Sequence, residues 1–189
     1  MKGKVIILSA PSGSGKSTII KNLMKENPLN LKFSISATSR KPREGETHGK
    51  DYYFLTEEEF EQNIKDGNFV EWEEVYAGVR YGTLESEIER ILQTGNNVIM
   101  DIDVKGALNV KKRYGKKALL LFIMPPSLDA LAERLRARGT DSEENIIKRL
   151  DKAEYEIGFA DMFDTTILND ELEVAIRSTE NKIREFLKE

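Results

Sequence analysis

The apolar residues of this chain fall into two rhythms. Short unbroken runs at 5–8, 98–100, 118–124 and 166–168, with 33–35 a shorter fifth, have the length and two-sided hydrophobicity of strands buried on both faces. Between them, at 18–25, 84–93, 104–113, 128–138, 143–156 and 171–188, apolar residues recur every three or four positions, the spacing of one helix face. Strands that alternate with helices and are apolar on both sides predict an α/β fold of three layers, with a central parallel sheet covered by helices on each face.

Two stretches break this rhythm. Residues 34–93 turn polar and charge-rich, with a turn signal at Lys41-Pro42-Arg43-Glu44-Gly45, a short helix opened by Thr56 with Glu59 completing a capping box, and a strand-like Phe69-Val70-Glu71-Trp72. They predict a lobe inserted into the sheet. Residues 134–149 carry Arg134, Arg136 and Arg138, the breaker Gly139 and a new helix start near Asp141-Ser142, which reads as a mobile hairpin of helices, a lid. The expected organisation is one domain with a core of 1–33, 94–133 and 150–189, a lobe of 34–93 and a lid of 134–149.

Composition narrows the function classes. A length of 189 residues with 39% hydrophobic and 33% charged suits one ordinary folded domain rather than a disordered chain. The formal net charge of −4 argues against a general nucleic-acid binder, so any anion site must be local. No cysteine is present, which excludes disulfides, thiol nucleophiles and cysteine metal sites. The single histidine, His48, lies in a polar turn and reads as an incidental loop residue. No stretch approaches the roughly 18 apolar residues of a membrane span, and the run after Met1-Lys2-Gly3-Lys4 is too short for the apolar part of a signal peptide. A cytoplasmic protein with no membrane or nucleic-acid partner is the expectation.

The candidate chemistry starts where the first apolar run ends. Ala10-Pro11-Ser12-Gly13-Ser14-Gly15-Lys16-Ser17-Thr18 follows a predicted strand and opens a predicted helix. Small residues there let consecutive backbone N–H groups turn around an anion, while the helix directs the positive end of its dipole at the same point. The pattern G-x-x-x-x-G-K-[ST] assigns Lys16 to the β and γ phosphates of ATP and the Ser17 hydroxyl to Mg²⁺. Ala10 stands where the first glycine is usual. Without its flanking strand and helix, the segment would read as a flexible Gly/Ser turn.

Further along, Arg40 and Arg43 sit three apart around a proline, so both guanidinium forks can converge on one phosphate, although the spacing also fits a solvated basic turn. Asp101 ends an apolar run, as a carboxylate at a ligand-binding strand end would. Asp103 reads either as the holder of a Mg²⁺-bound water or as the cap of the next helix. A phosphate cradle, a polar lobe and an arginine-rich hairpin together suggest a transferase with two nucleotide sites.

Five segments in order, Ser34 through Arg43, Gly49-Lys50-Asp51-Tyr52, Phe69-Val70-Glu71-Trp72, Tyr81-Gly82-Thr83 and Asp101-Ile102-Asp103, closely resemble the guanylate kinases over nearly the whole chain. The resemblance implies a P-loop core that transfers the γ-phosphoryl group of Mg-ATP to GMP in purine nucleotide metabolism. It implies that Arg40, Arg43, Tyr52 and Tyr81 hold the acceptor phosphate, and that Ser36, Glu71, Thr83 and Asp101 contact the acceptor nucleotide. Glu71 suits guanine on chemical grounds, because one carboxylate accepts from both N1–H and the exocyclic amine, whereas adenine has an acceptor at N1. Arg134, Arg138 and Arg149 match lid arginines that would stabilise charge in the transition state. Asn169 and Asp170 match the loop beside the donor adenine, and equally fit a cap before Glu171. Two rivals share the resemblance: an inactive guanylate-kinase-like protein-binding module, and a ribose 1,5-bisphosphate phosphokinase, which need not read a base.

Overall fold

Strand β1 (Val5–Ser9) is buried along its whole length, and its residues alternate between two apolar layers. Ile6 and Leu8 face one layer with Ile19, Ile20 and Leu23 of helix α1 (Lys16–Glu26) and Ala175, Ile183 and Phe186 of α7 (Leu172–Lys188). Val5 and Ile7 face the other, with Ile88 and Ile91 of α3 (Glu85–Gln93) and Val104, Ala107 and Val110 of α4 (Val104–Tyr114). This two-sided burial is why the strand runs lack polar alternation. The computed structural model describes residues 3–76, 78–139 and 141–189, with the backbone alone at Tyr76; Met1, Lys2, Ala77 in the expected lobe and Thr140 in the expected lid lie outside the described residues.

The main sheet has five parallel strands in the order β2-β7-β1-β8-β9, formed with β2 (Leu31–Phe33), β7 (Asn97–Asp101), β8 (Ala118–Met124) and β9 (Thr165–Leu168). Its edge strand β2 starts two residues earlier than the 33–35 run suggested. Leu31 is the fully buried member, Phe33 is 43% exposed, and the chain leaves the sheet after the Ser34 N–H donates to the Ile99 carbonyl. Helices α1 and α7 cover one face and α3 and α4 the other, giving the three layers expected.

The polar stretch forms a second sheet, ordered β4-β3-β6-β5, from β3 (Ala37–Thr38), β4 (Tyr53–Phe54), β5 (Phe69–Tyr76) and β6 (Val79–Leu84). Helix α2 (Glu57–Lys65) carries the predicted Thr56/Glu59 capping box and seats Phe60 on Phe69, ring centroids 4.4 Å apart. At the seam between the sheets, buried Glu87 in the first turn of α3 accepts from the Ile35 N–H (3.3 Å), the Tyr53 hydroxyl (2.8 Å) and Arg90 (2.9 Å). Helices α5 (Leu128–Ala137) and α6 (Glu143–Ile157) pack through their own cluster of Leu131, Leu135, Ile146 and Ala153. Among the described residues, no helix is long and apolar enough to cross a membrane.

The two main layers depend on β8 as much as on β1, since Leu121 is fully buried in the layer shared with α1 and α7. Leu121→Ala should lower unfolding stability by about 2–5 kcal/mol in urea titration, the range for a buried leucine whose cavity closes only partly. A loss under 1 kcal/mol would show that this layer is loosely packed.

Candidate active site

Strand β1 ends directly in the glycine-rich loop. Gly13 (φ 97°) and Gly15 (φ 88°) take left-handed conformations that a side chain would strain, and this tightens the turn into α1. The loop is braced from the next strand but one. Asn169, buried just beyond β9, donates from Nδ2 to the Ser14 carbonyl at 2.6 Å, so close that a Cβ on Gly15 would lie 2.3 Å from that nitrogen. Ala10, in the first-glycine position, buries its methyl in the layer with Ile6 and Leu8 and leaves the turn intact.

The loop forms one wall of a cleft of about 470 Å³, a volume suited to small ligands. Ala10, Pro11, Ser12, Gly13, Gly15, Lys16, Ser17 and Thr18 line it, whereas Ser14 is fully buried beneath. Asp101, Asp103, Ser36, Tyr52, Glu71 and Tyr81 contribute from the strand ends and the smaller sheet, and Arg138 and Arg149 from the helical hairpin. The Lys16 ammonium is ion-paired with Asp101. Arg149 donates to the Ser12 hydroxyl at 2.8 Å and pairs with Asp141 at 3.2 Å, which ties the hairpin to the loop. Arg134 is turned toward the end of β9, donating to the carbonyls of Asn169 at 3.0 Å and Asp170 at 3.4 Å. Asp103 caps α4 by accepting from the Gly106 N–H at 2.7 Å.

On the facing sheet, β5 and β6 pair antiparallel with Glu71 opposite Thr83 and Glu73 opposite Tyr81. The Thr83 hydroxyl, itself buried, donates to Glu71 Oε1 at 2.6 Å and fixes the carboxylate. The other oxygen rests on the start of α4, where a Cβ on Gly106 would come within 3.1 Å of it. Burial holds the Glu71 carboxyl up at about 7; the Thr83 hydrogen bond opposes this, and the nearby Asp103 and Glu73 charges add to it. Tyr52 and Tyr81 meet edge to face at 5.8 Å, and Arg40 donates from Nε to the Tyr81 hydroxyl at 3.1 Å. Arg43 is exposed, its backbone N–H donating to Glu46 at 2.8 Å.

Most of the expected residues line one cleft; Arg40 and Thr83 back its wall through their bonds to Tyr81 and Glu71, Asn169 braces the loop through Ser14, and Arg43, Arg134 and Asp170 do not line it. Three charged wall residues were not anticipated. Glu73 lies two positions after Glu71 on the same strand face, and burial and the Asp103 charge raise its pKa. Lys152 and Glu156 follow Arg149 at helical spacing; burial raises Glu156 and the Lys152 and Lys16 charges oppose it. Both signals were periodic and so available in the sequence.

A model of the family described as guanylate kinase matches residues 2–186. The chain belongs to the guanylate kinase family. A guanylate kinase of Porphyromonas gingivalis is 54% identical over 184 residues, covering 97% of this chain and 98% of the relative. One of Bacteroides thetaiotaomicron is 55% identical over 187 residues, covering 99% and 91%. A solved structure described as the crystal structure of guanylate kinase from Anaplasma phagocytophilum aligns with a TM-score of 0.70 at 31% identity, covering 97% of this chain and 85% of that one. Membership in the guanylate kinase family makes this chain a phosphotransferase; the protein-binding module and the ribose 1,5-bisphosphate phosphokinase are not favoured.

The raised Glu71 pKa has a measurable sign. The folded state binds this proton more tightly than the unfolded chain, so the group's contribution is complete below about 4.5 and lost as pH rises through about 7. Without nucleotide, Glu71→Gln should therefore lose less stability than the wild type between about pH 5 and 8, by up to the order of 3 kcal/mol in urea titrations. Parallel pH profiles would show that Glu71 titrates normally.

Proposed function

We propose that this chain transfers the γ-phosphoryl group of ATP to GMP, producing ADP and GDP. The observation that carries the reading is that the phosphate loop and a wall bearing Ser36, Tyr52, Glu71 and Tyr81 line one cleft. On the donor side, the glycine loop and the start of α1 suit the β phosphate, and Lys16 follows the departing γ-phosphoryl group. The loop of Asn169 and Asp170 borders the donor adenine. On the acceptor side, Arg40, Arg43, Tyr52 and Tyr81 hold the GMP phosphate. Glu71 accepts from guanine N1–H and the exocyclic amine, with Ser36, Thr83 and Asp101 completing the nucleotide contacts. Two arriving donors favour the ionised carboxylate, so guanine takes over from the proton that burial retains.

No general base is required. The acceptor oxygen belongs to a phosphate already ionised near neutral pH, so alignment, charge neutralisation and exclusion of water carry the rate. Arg134, Arg138 and Arg149 supply cations from the hairpin. Mg²⁺ fits the donor set: it takes few protein oxygens and completes its shell with phosphate and water, and no metal cage of three or more His, Asp or Glu occurs among the described residues. The Ser17 hydroxyl would hold it; Asp103, the other candidate through water, already uses one oxygen to cap α4. When bound, Mg²⁺ offsets charge on the β and γ phosphates.

The same reading treats 1–33, 94–133 and 150–189 as the core, 34–93 as the GMP lobe and 134–149 as the lid. Separate apolar clusters around Phe60 and around Leu131 support the division, with α3, packed under the main sheet, as its seam. A cytoplasmic setting is part of the proposal and accords with a cysteine-free chain.

Mixing ATP with each nucleoside monophosphate and following ADP release should give the highest kcat/KM with GMP; equal or greater activity with AMP or UMP contradicts the proposal. Lys16→Ala should lower kcat by about 10²-fold or more, since it removes transition-state charge stabilisation. Glu71→Ala should raise the GMP KM by about tenfold or more while the ATP KM stays nearly unchanged, and an unaltered GMP KM would remove Glu71 from base reading.

A further inference from the structure

Arginine has five N–H donors in a fixed plane, so the partners of Arg40 can be assigned one by one. Nη1 donates to Glu46 Oε2 at 2.7 Å and to the Lys41 carbonyl at 3.0 Å. Nη2 donates to Glu46 Oε1 at 2.7 Å, and Nε to the Tyr81 hydroxyl at 3.1 Å. The edge formed by Nη1 and Nη2 is therefore taken by one carboxylate, bidentately. Among the described residues, the one remaining N–H is on Nη2, on the same edge as Nε and beside the Tyr81 hydroxyl.

That plane has little freedom to turn. The Arg40 guanidinium carbon lies 5.0 Å from the Tyr52 ring centroid and 5.5 Å from that of Phe54. Glu46 is itself anchored, because Oε2 also accepts from the Arg43 N–H at 2.8 Å, closing the 40–46 turn around the ion pair. Both side chains are largely shielded, 13% exposed for Arg40 and 21% for Glu46. Hydrogen bonds from Arg40 and the Arg43 backbone hold the Glu46 carboxyl down at about 2, so it stays ionised across the working pH range.

We propose that Glu46 is a positioning residue for acceptor-phosphate recognition: it locks one edge of the Arg40 guanidinium so that the Nε/Nη2 edge, next to the Tyr81 hydroxyl, is the edge offered to the phosphate of the nucleoside monophosphate. The inference rests on the proposed use of Arg40 and Tyr81 in holding that phosphate. Glu46 acts through Arg40 and does not itself touch the substrate. A single carboxylate thereby sets the direction of the guanidinium through its side chain and the position of the Arg43 backbone through its second bond. Pre-forming the turn in this way lowers the ordering cost that binding would otherwise carry.

The test compares wild type, Glu46→Ala, Arg40→Ala and the double variant in steady-state kinetics, with guanosine, which lacks the phosphate, as a competitive probe of the base site. Glu46→Ala should raise the GMP KM by about tenfold with less than a threefold change in kcat, and leave the ATP KM and the guanosine inhibition constant unchanged. In the Arg40→Ala background, Glu46→Ala should add clearly less than its tenfold effect in the wild type, because the guanidinium it orients is gone and only its hold on the Arg43 backbone remains. An unchanged GMP KM overturns the assignment. Tighter GMP binding in Glu46→Ala also overturns it, since Glu46 would then compete with the phosphate. A parallel loss of guanosine affinity, or full additivity with Arg40→Ala, overturns it as well. If the wild type prefers another monophosphate, the acceptor reading fails, while the same Glu46→Ala penalty on that nucleotide upholds the positioning role.

Discussion

The register of the parallel sheet is the constraint on which the rest depends. Leu8 of β1 pairs with Asp101 of β7, and Ser9 with Phe122 of β8, so the strands finish along one edge of the sheet. Met124 of β8 pairs with Leu168 of β9, and the Asn169 N–H then continues the ladder to the Met124 carbonyl at 2.8 Å. Backbone hydrogen bonds, rather than side-chain chemistry, thus deliver the glycine loop, the carboxylate of Asp101 and the amide of Asn169 to one place. Ligands bind outside the carboxyl ends of such strands because only there do the loops leave room and the following helices direct their N-termini. Lys16 and Asp101 can then pair across the loop, and Asn169 can brace Ser14.

A second, antiparallel register builds the opposite wall. Pairing Glu71 with Thr83 and Glu73 with Tyr81 puts all four side chains on one face of the small sheet, since directly opposed residues share a face. The bare backbone of Gly106 lets that face seat its carboxylate against the start of α4. The two walls therefore rely on different hydrogen-bond ladders, and they are joined at a seam where the buried Glu87 carboxylate gathers donors from Ile35, Tyr53 and Arg90. Removing a group of that kind leaves the part-buried Ile35 and Tyr53 donors unpaired, which costs more than the gain from either bond.

How much of this could be read from sequence follows from periodicity. The runs containing Ile6, Ile99 and Leu120 are buried on both faces, so hydrophobicity alone marks them, and the loop from Ala10 to Thr18 declares itself by composition. Glu71 and the arginine pair were legible through ordered motifs. The short strands Ala37–Thr38 and Tyr53–Phe54 were not, because two residues carry no period, and Val79–Leu84 hides its strand character behind Arg80 and Gly82. Edge strand β2 was shifted because Phe33 is apolar yet half-exposed, while Leu31 does the packing. Glu46 and Glu87 gave no signal at all. Each is one acid among 33, and its partners lie on segments brought near only by the fold.

For phosphoryl transfer as proposed, one cleft must hold two nucleotides with their phosphates meeting between the loop and the small sheet. Calorimetric titration with adenosine and guanosine joined through a chain of phosphates tests this directly. One molecule should bind per chain, exclude both ATP and GMP, and bind far more tightly than either, because the second nucleotide's binding becomes intramolecular. Binding of two molecules per chain, or displacement of only one of the two nucleotides, would contradict it.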